Sequence, residues 1–176
     1  MTTTATAAKA APEQGSWYIV STLVENKPGV LFRVTNLFRA RNFNIESITV
    51  GSTEQQDLSR MTITTNSDEK TLDQLVKQLR KLIDVVDVKV LDTEKTVYRE
   101  LALIKMKAVD PTTRSEIINY ATIFRGNILD IGKETITVEV TGTPDKIDAF
   151  KNLVEHYGIA QLARTGVLAL PRGVET

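Results

Sequence analysis

Hydrophobic positions along the first half of the chain follow two spacings, and their order predicts a first structural unit. Apolar residues at every second position predict strands, whereas apolar residues at every third or fourth position predict helices. The first half contains these patterns in the order strand, helix, strand, strand, helix, strand. The predicted strands lie at residues 17–24, 44–50, 60–65 and 86–90, and the helices at residues 30–41 and from about residue 68 onward.

Two of these elements carry specific expectations about which side chains face the core. In the third strand, Met61 and Ile63 are predicted to point inward, and the intervening Thr62 and Thr64 to point outward. The second helix is predicted to have one apolar stripe facing the sheet. This stripe comprises Leu72, Leu75, Val76, Leu79 and Ile83.

The second half of the chain repeats the same order of patterns. Helix starts are marked by Asp110-Pro111 and by Thr143-Pro144, which put a capping residue before a proline at the first helical position. A polar joint at residues 92–96 separates the halves, so we expect a diverged duplication of one unit. The strands of the second half are predicted at residues 101–108, 128–131, 135–140 and 159–167.

Together the halves predict an α+β fold made of two tandem ferredoxin-like βαββαβ units. The right-handed crossover rule gives each unit an antiparallel sheet with both helices on one face. We expect the first unit at residues 17–93 and the second at residues 97–173. Residues 1–16 are rich in Thr and Ala and lack the apolar core of a signal peptide, so we expect a disordered N-terminal extension.

The connection between the first strand and the first helix is a candidate binding site. It reads Asn26-Lys27-Pro28-Gly29-Val30-Leu31, where the glycine permits backbone conformations that a side chain would forbid. The free N–H groups and positive dipole end of the following helix attract an anion. The second unit has Asp110 and no glycine at this point, so its own carboxylate stands where an anion would bind. An ordinary strand–helix turn is the alternative interpretation.

Composition and charge narrow the range of functions. The 22 basic and 22 acidic residues leave no net charge, which argues against a nucleic-acid-binding protein. The chain has no cysteine, so the reduced cytoplasm is permitted, and this is the location that we expect. No apolar run approaches the roughly 18 residues of a membrane helix, so we expect no membrane association.

Nothing in the sequence resembles a catalytic centre or a metal site. His156 is the single histidine, which excludes a histidine-based triad and a site with several histidine ligands. Neither common phosphate-binding glycine motif occurs. An RNA-recognition motif would need exposed aromatic residues on its central strands, and residues 61–64 offer none. Acylphosphatases match partly at residues 29–33, but Asn26-Lys27-Pro28 stands where their phosphate cradle needs glycine and glutamine.

The candidate turn resembles the amino-acid-binding loop of ACT domains, and the resemblance extends well beyond the turn. Stretches in both units are similar to the small regulatory subunit of acetolactate synthase, and together they span Trp17 to Gly173. The departures from the family pattern are the long N-terminal extension and Pro28, where other small residues also occur. The similar stretches lie at residues 42–50, 58–63, 69–70, 78–85, 99–101, 123–126, 141–143, 146–150 and 164–167.

This resemblance implies a regulatory subunit that has no catalytic activity of its own. Such a subunit binds and activates a thiamine-diphosphate-dependent catalytic subunit and confers feedback inhibition by valine, in the biosynthesis of valine, leucine and isoleucine. Thiamine diphosphate, magnesium and FAD are implied in the catalytic partner, and no cofactor is expected in this chain. A stand-alone ACT-type amino-acid sensor is the alternative.

The resemblance also implies a homodimer in which the first units pair side by side into one continuous sheet. The effector, valine or another branched-chain amino acid, is then expected to contact residues of both chains. The implied effector site comprises Asn26, Pro28, Gly29, Val30 and Leu31 from one chain, and Asn44 and Ile45 from the other. The implied dimer interface comprises Asn44, Ile45, Ile48 and Val50.

Overall fold

The computed structural model describes residues 16–173, and residues 1–15 of the expected N-terminal extension lie outside the described range. The first unit comprises β1 (Ser16–Glu25), α1 (Val30–Ala40), β2 (Ser47–Ser52), β3 (Leu58–Ser67), α2 (Glu69–Leu79) and β4 (Val85–Leu91). The second unit comprises β5 (Thr96–Lys107), α3 (Pro111–Ile123), β6 (Asn127–Ile131), β7 (Thr135–Gly142), α4 (Pro144–Val154), a 3-10 turn (Glu155–Tyr157), β8 (Ile159–Arg164) and β9 (Leu168–Pro171).

Each unit contains an antiparallel sheet with the same strand order. The order is β2-β3-β1-β4 in the first unit and β6-β7-β5-β8 in the second, which confirms the predicted ferredoxin-like βαββαβ fold. The second sheet has one more strand than predicted, because β9 pairs with the first half of β5. In this two-stranded ribbon Val97 lies opposite Leu170, and Arg99 lies opposite Leu168.

The helices of each unit cover one face of its sheet and bury their apolar stripes there. In the first unit, Val34 and Phe38 of α1 and Leu75 and Leu79 of α2 pack against Ile63 and its neighbours on the sheet. The second unit packs in the same way. Its core contains Ile104, Ile117, Ile136, Val138, Ile147 and Phe150.

The prediction that Thr62 and Thr64 face solvent is wrong. Both lie on the sheet face away from the helices, but both are buried. The cause is the end of the chain, since Val167 and Ala169 pack onto this face of the first sheet. The small core formed there contains Ile19, Leu91, Val167 and Ala169, flanked by Trp17 and Tyr98.

Several element boundaries also differ from the predictions, and the largest difference is that β5 begins at Thr96, five residues before the predicted start. The last turn of α2 tightens, with the Leu82 N–H donating to the Leu79 carbonyl at 3.0 Å, so Ile83 leaves the apolar stripe and is 93% exposed. β2 begins three residues later than predicted, so Asn44 and Ile45 lie in the segment before it. The strand predicted at residues 159–167 is interrupted, because β8 ends at Arg164 and β9 begins four residues later.

Candidate functional site

The turn between β1 and α1 leaves the start of the helix open. Gly29 has φ +87°, in the left-handed region that favours glycine, and it caps α1 without a side-chain hydrogen bond. The Val30 N–H makes a long hydrogen bond of 3.4 Å to the Lys27 carbonyl. Within residues 16–173 the N–H groups of Leu31 and Phe32 have no acceptor. These N–H groups and the positive end of the helix dipole can therefore hold an anion.

The other residues predicted for this turn differ in what they expose. Asn26 is exposed, and its backbone N–H and side-chain amide donate to carbonyls of the loop before β3, at 2.7 and 3.5 Å. Pro28 is exposed as well. Val30 is buried in the core of the first unit, so only its backbone can face a ligand. Leu31 is 45% exposed, so its side chain is available beside the turn.

An ion pair that the sequence patterns do not predict lies beside this turn. Arg33 donates from Nε and Nη2 to the two carboxylate oxygens of Asp84, at 2.5 and 2.8 Å. This hydrogen bonding raises the pKa of Arg33 above its ordinary value. A Cβ atom at Gly29 would lie 3.5 Å from Arg33 Nη1, so the guanidinium lies next to the turn with the one nitrogen that does not donate to Asp84. Asp84 balances the charge of the guanidinium, so Arg33 offers the turn a hydrogen-bond donor and no net charge. No local spacing could have revealed this pair, since its members are 51 residues apart.

The second group of predicted residues lies on and before β2. Asn44 is exposed, and its carbonyl accepts the Thr65 hydroxyl at 2.8 Å. Ile45 and Ile48 are partly buried and pack against the core of the first unit, whereas Val50 is exposed. β2 is an edge strand, and among the described residues it pairs with β3 alone. Its outer edge therefore carries backbone groups that a further strand could pair with.

The turn and the segment before β2 lie at opposite ends of the first sheet. Glu25, which leads into the turn, is paired with Leu58 at the start of β3. Asn44 instead lies beside Thr65, near the end of β3. From Leu58 to Thr65 the strand extends roughly 23 Å, at about 3.3 Å per residue. The structure therefore does not bring the two predicted groups together within one chain.

The equivalent turn of the second unit is occupied by a carboxylate of the chain itself. One oxygen of Asp110 accepts the Thr113 hydroxyl at 2.7 Å, and the other accepts the Thr113 N–H at 2.9 Å. These hydrogen bonds lower the pKa of Asp110 below its ordinary value. The predicted contrast is confirmed, since the helix start is open in the first unit and filled in the second.

The junction between the two units forms an open cleft of about 540 Å³. Arg164 lies in its wall and donates to the buried Glu100 and, at 2.7 Å, to Asp148 of α4. Two carboxylates thus hold the guanidinium in place. Trp17 and Ile48 of the first unit line the opposite side. The charged groups in its wall, Arg164, Glu100 and Asp148, are thus already paired with one another.

Among residues 16–173 there is no group of three or more His, Asp or Glu side chains that could hold a metal ion. His156 is exposed, and its ring centroid lies 3.8 Å from that of Tyr157. In the same part of the chain, none of the helices is long and apolar enough to cross a membrane.

Two family models match the chain, one in each unit. The model described as the AHAS small subunit-like ACT domain matches residues 20–87. The model described as the small subunit of acetolactate synthase matches residues 99–173. The division of the chain into two matched regions follows the two sheets described above.

Relatives and a solved structure match along most of the chain. A probable acetolactate synthase small subunit from Methanothermobacter thermautotrophicus is 52% identical over 159 residues, covering 90% of this chain and 95% of the relative. The acetolactate synthase small subunit from Mycolicibacterium smegmatis is 47% identical, with 89% and 91% covered. The crystal structure of the acetolactate synthase small subunit from Thermotoga maritima has a TM-score of 0.84 and 43% identity, covering 91% of this chain and 99% of that chain. The chain therefore belongs to the acetolactate synthase small-subunit family.

Proposed function

We propose that this protein regulates acetolactate synthase by binding its thiamine-diphosphate-dependent catalytic subunit, raising its activity and making it sensitive to valine. The small-subunit family and the ACT domain support a regulatory role with a large catalytic partner. The proposal includes a cytoplasmic location, which the lack of cysteine permits. The observation that carries it is the open helix start after Gly29, which suits the carboxylate of an amino acid.

The effector carboxylate is proposed to bind at the start of α1. The N–H groups of Leu31 and Phe32 can donate to it, and Arg33 Nη1, which Asp84 leaves free, is a further donor beside the turn. A hydrogen bond to a charged acceptor is stronger than one between neutral groups. The second unit has no equivalent site in this proposal, because Asp110 already occupies its helix start. Each chain therefore supplies one carboxylate site.

A two-fold dimer accounts for the position of the remaining effector residues. If β2 pairs antiparallel with β2 of a second copy, the sheet continues across the axis, and each turn comes to the end occupied by Asn44 of the partner subunit. That amide oxygen can accept hydrogen bonds from the effector ammonium. Leu31 of the first chain and the partner's Ile45 can then enclose the branched side chain of the effector, a contact of order 1–3 kcal/mol. Such a pocket separates valine from a larger side chain only modestly, since one methylene is worth about 1–3 kcal/mol.

The proposal assigns no chemical step to this chain. Thiamine diphosphate, magnesium and FAD are proposed to belong to the catalytic subunit, which condenses pyruvate with pyruvate or 2-oxobutyrate. The exposed position of His156 supports this division of labour, because a general base or metal ligand needs neighbours that position it. The proposed role of this chain is to bind the catalytic subunit, to activate it and to make it respond to valine.

Reconstitution with an untagged catalytic subunit tests the proposal. The chain alone, given pyruvate and all three cofactors, should form no acetolactate above background, and it should not hydrolyse acetyl phosphate. Added to the catalytic subunit, it should co-purify with it and raise the rate, and valine should lower that rate. Valine binding without co-purification would favour a stand-alone sensor, and acetyl phosphate hydrolysis would contradict the proposal.

A further inference from the structure

We propose that a hydrogen-bonded junction between β2 and the segment before β9 transmits the effector state of the first unit to the second unit. The junction comprises Ser47, Thr49, Gly166 and Val167. This inference rests on the proposed function, because it concerns how valine bound near β2 changes the rest of the chain. It assigns a positioning role to residues that touch no effector.

Both backbone polar groups of Val167 are bound by side chains of β2. The Thr49 hydroxyl donates to the Val167 carbonyl at 2.6 Å, and the Val167 N–H donates to Ser47 Oγ at 3.3 Å. Ser47 and Thr49 share one face of β2, the face away from the helices. A shift of β2 along or across the sheet would therefore strain both bonds.

Close packing of Gly166 strengthens this mechanical link. A Cβ atom at Gly166 would lie 3.1 Å from the carbonyl carbon and oxygen of Ile48 and 3.1 Å from Ser47 Cβ. Contacts this short mean that the backbone of Gly166 rests directly on the backbone of β2. The glycine is needed here for close approach, since a larger residue would push the two segments apart.

One end of the junction lies next to the proposed effector site. Ser47 begins β2, two residues after Ile45, which is expected to contact the effector bound by the second copy. β2 is also the strand expected to pair across the dimer axis, and β3 is its sole neighbour among the described strands. Both dimer pairing and ligand contact therefore act on a strand with few other restraints.

The other end of the junction is bonded into the second unit. The Thr165 N–H donates to the Leu101 carbonyl at 2.9 Å, and the Leu101 N–H donates to the Thr165 hydroxyl at 3.0 Å. Arg164 then links the segment to Glu100 of β5 and to Asp148 of α4. A continuous set of bonded groups thus runs from β2 to a strand and a helix of the second unit. Such a network transmits a signal when it has two arrangements and events at each end change the balance between them.

Side-chain truncation at the junction tests the proposal in the full-length protein reconstituted with its catalytic subunit. Thr49→Val removes the hydroxyl at nearly constant shape, and Ser47→Ala removes the second bonding group. Both variants should bind valine within about threefold of the wild type, because neither residue is proposed to touch the effector. The inhibition caused by saturating valine should nevertheless fall by at least about fivefold, the lower end of typical allosteric coupling.

Hydrogen exchange and a matched control separate coupling from general damage. Valine should change the exchange of residues 165–171 in the wild type and not in Thr49→Val. Thr141→Val alters an exposed threonine of β7 outside the junction and should behave as the wild type. Undiminished inhibition in both junction variants, or an equal loss in Thr141→Val, would overturn the proposal. A wild type that binds no valine would contradict the proposed function itself.

Discussion

Gly29 is the residue on which the proposed effector site depends. Its φ of +87° is accessible to glycine at little cost, and the turn that it forms leaves the N–H groups of Leu31 and Phe32 without acceptors among residues 16–173. Asp110 at the matching position of the second unit shows what a side-chain carboxylate does there, since it binds the helix start itself. The equivalent turns of the two units thus differ in whether a side chain of the protein already fills the helix start.

Gly29→Asp should therefore weaken valine binding. The new carboxylate would compete for the N–H groups, lie close to Arg33 and repel the effector. Losing one charge-assisted hydrogen bond costs ~1.5–3 kcal/mol, which corresponds to about a tenfold to a hundredfold fall in affinity measured by calorimetry. The Gly29→Asp variant should still activate the catalytic subunit, so the reconstituted complex should form acetolactate at a rate that resists valine.

Gly29→Ala is the control for this change, because alanine brings left-handed strain at least as large as that of aspartate, without the charge. That strain is about 1–2 kcal/mol and should appear in thermal unfolding of both variants. The effect of the charge is the difference in valine affinity between the two variants. Equal valine affinities for Gly29→Asp and Gly29→Ala would show that the effector carboxylate is not held at this turn.

At the scale of elements, the first sheet has two edge strands, β2 and β4, with different surroundings. The structure places β2, which carries Ile48 and Val50, at an edge whose outer backbone groups are unpaired among the described residues. It also shows that Ile48 packs partly into the core, so a change at Ile48 would disturb the fold as well as an interface. Val50 is the better probe of pairing at this edge.

Val50→Lys should weaken the proposed dimer. A charge at this edge strand blocks strand-to-strand pairing, as Lys does at many natural edges. Val90→Lys on β4 is a closely matched control, since Val50 is 46% and Val90 is 42% exposed. We expect the dissociation constant, measured by analytical ultracentrifugation, to rise at least about tenfold for Val50→Lys only. A monomeric wild type, or equal effects of both variants, would refute pairing through β2.

At the scale of the whole molecule, the end of the chain holds the two units together. Residues of the second family-matched region cross the first sheet, so Val167 and Ala169 complete a core that contains Ile19 and Leu91. The first unit is therefore not independent of the second, and a fragment that ends between them would expose Thr62 and Thr64. Point variants in the full chain are the appropriate tests.

Val167→Ala should destabilise the protein by about 1.5–3 kcal/mol, through lost burial and the cavity that remains. The adjacent Leu168→Ala is the control, because Leu168 is 61% exposed while Val167 is 1% exposed. A surface change of this kind is usually within about 0.5 kcal/mol of neutral. Urea unfolding of the full chain measures the free energy of unfolding of both variants. Equal stabilities would mean that the C-terminal segment does not restrain the first sheet.

The amino-acid pattern alone is enough to predict the order of the elements, the ferredoxin-like fold and the contrast between Gly29 and Asp110. These features depend on local chemistry, namely the period of apolar residues and the residues that start a helix, which act within a few positions. The family resemblance added the expectation that Asn44 and Ile45 contact the effector, which no local pattern contains and which stays a prediction.

Contacts between residues far apart in the chain become visible in the folded molecule alone. The Arg33–Asp84 pair, the hydrogen bond from Thr49 to Val167 and the burial of Thr62 join segments that no spacing relates. Alternation along β3 correctly separates its two faces. It cannot show that Val167 and Ala169 cover the face that carries Thr62 and Thr64. Burial depends on what packs against a face, and that is a property of the folded molecule.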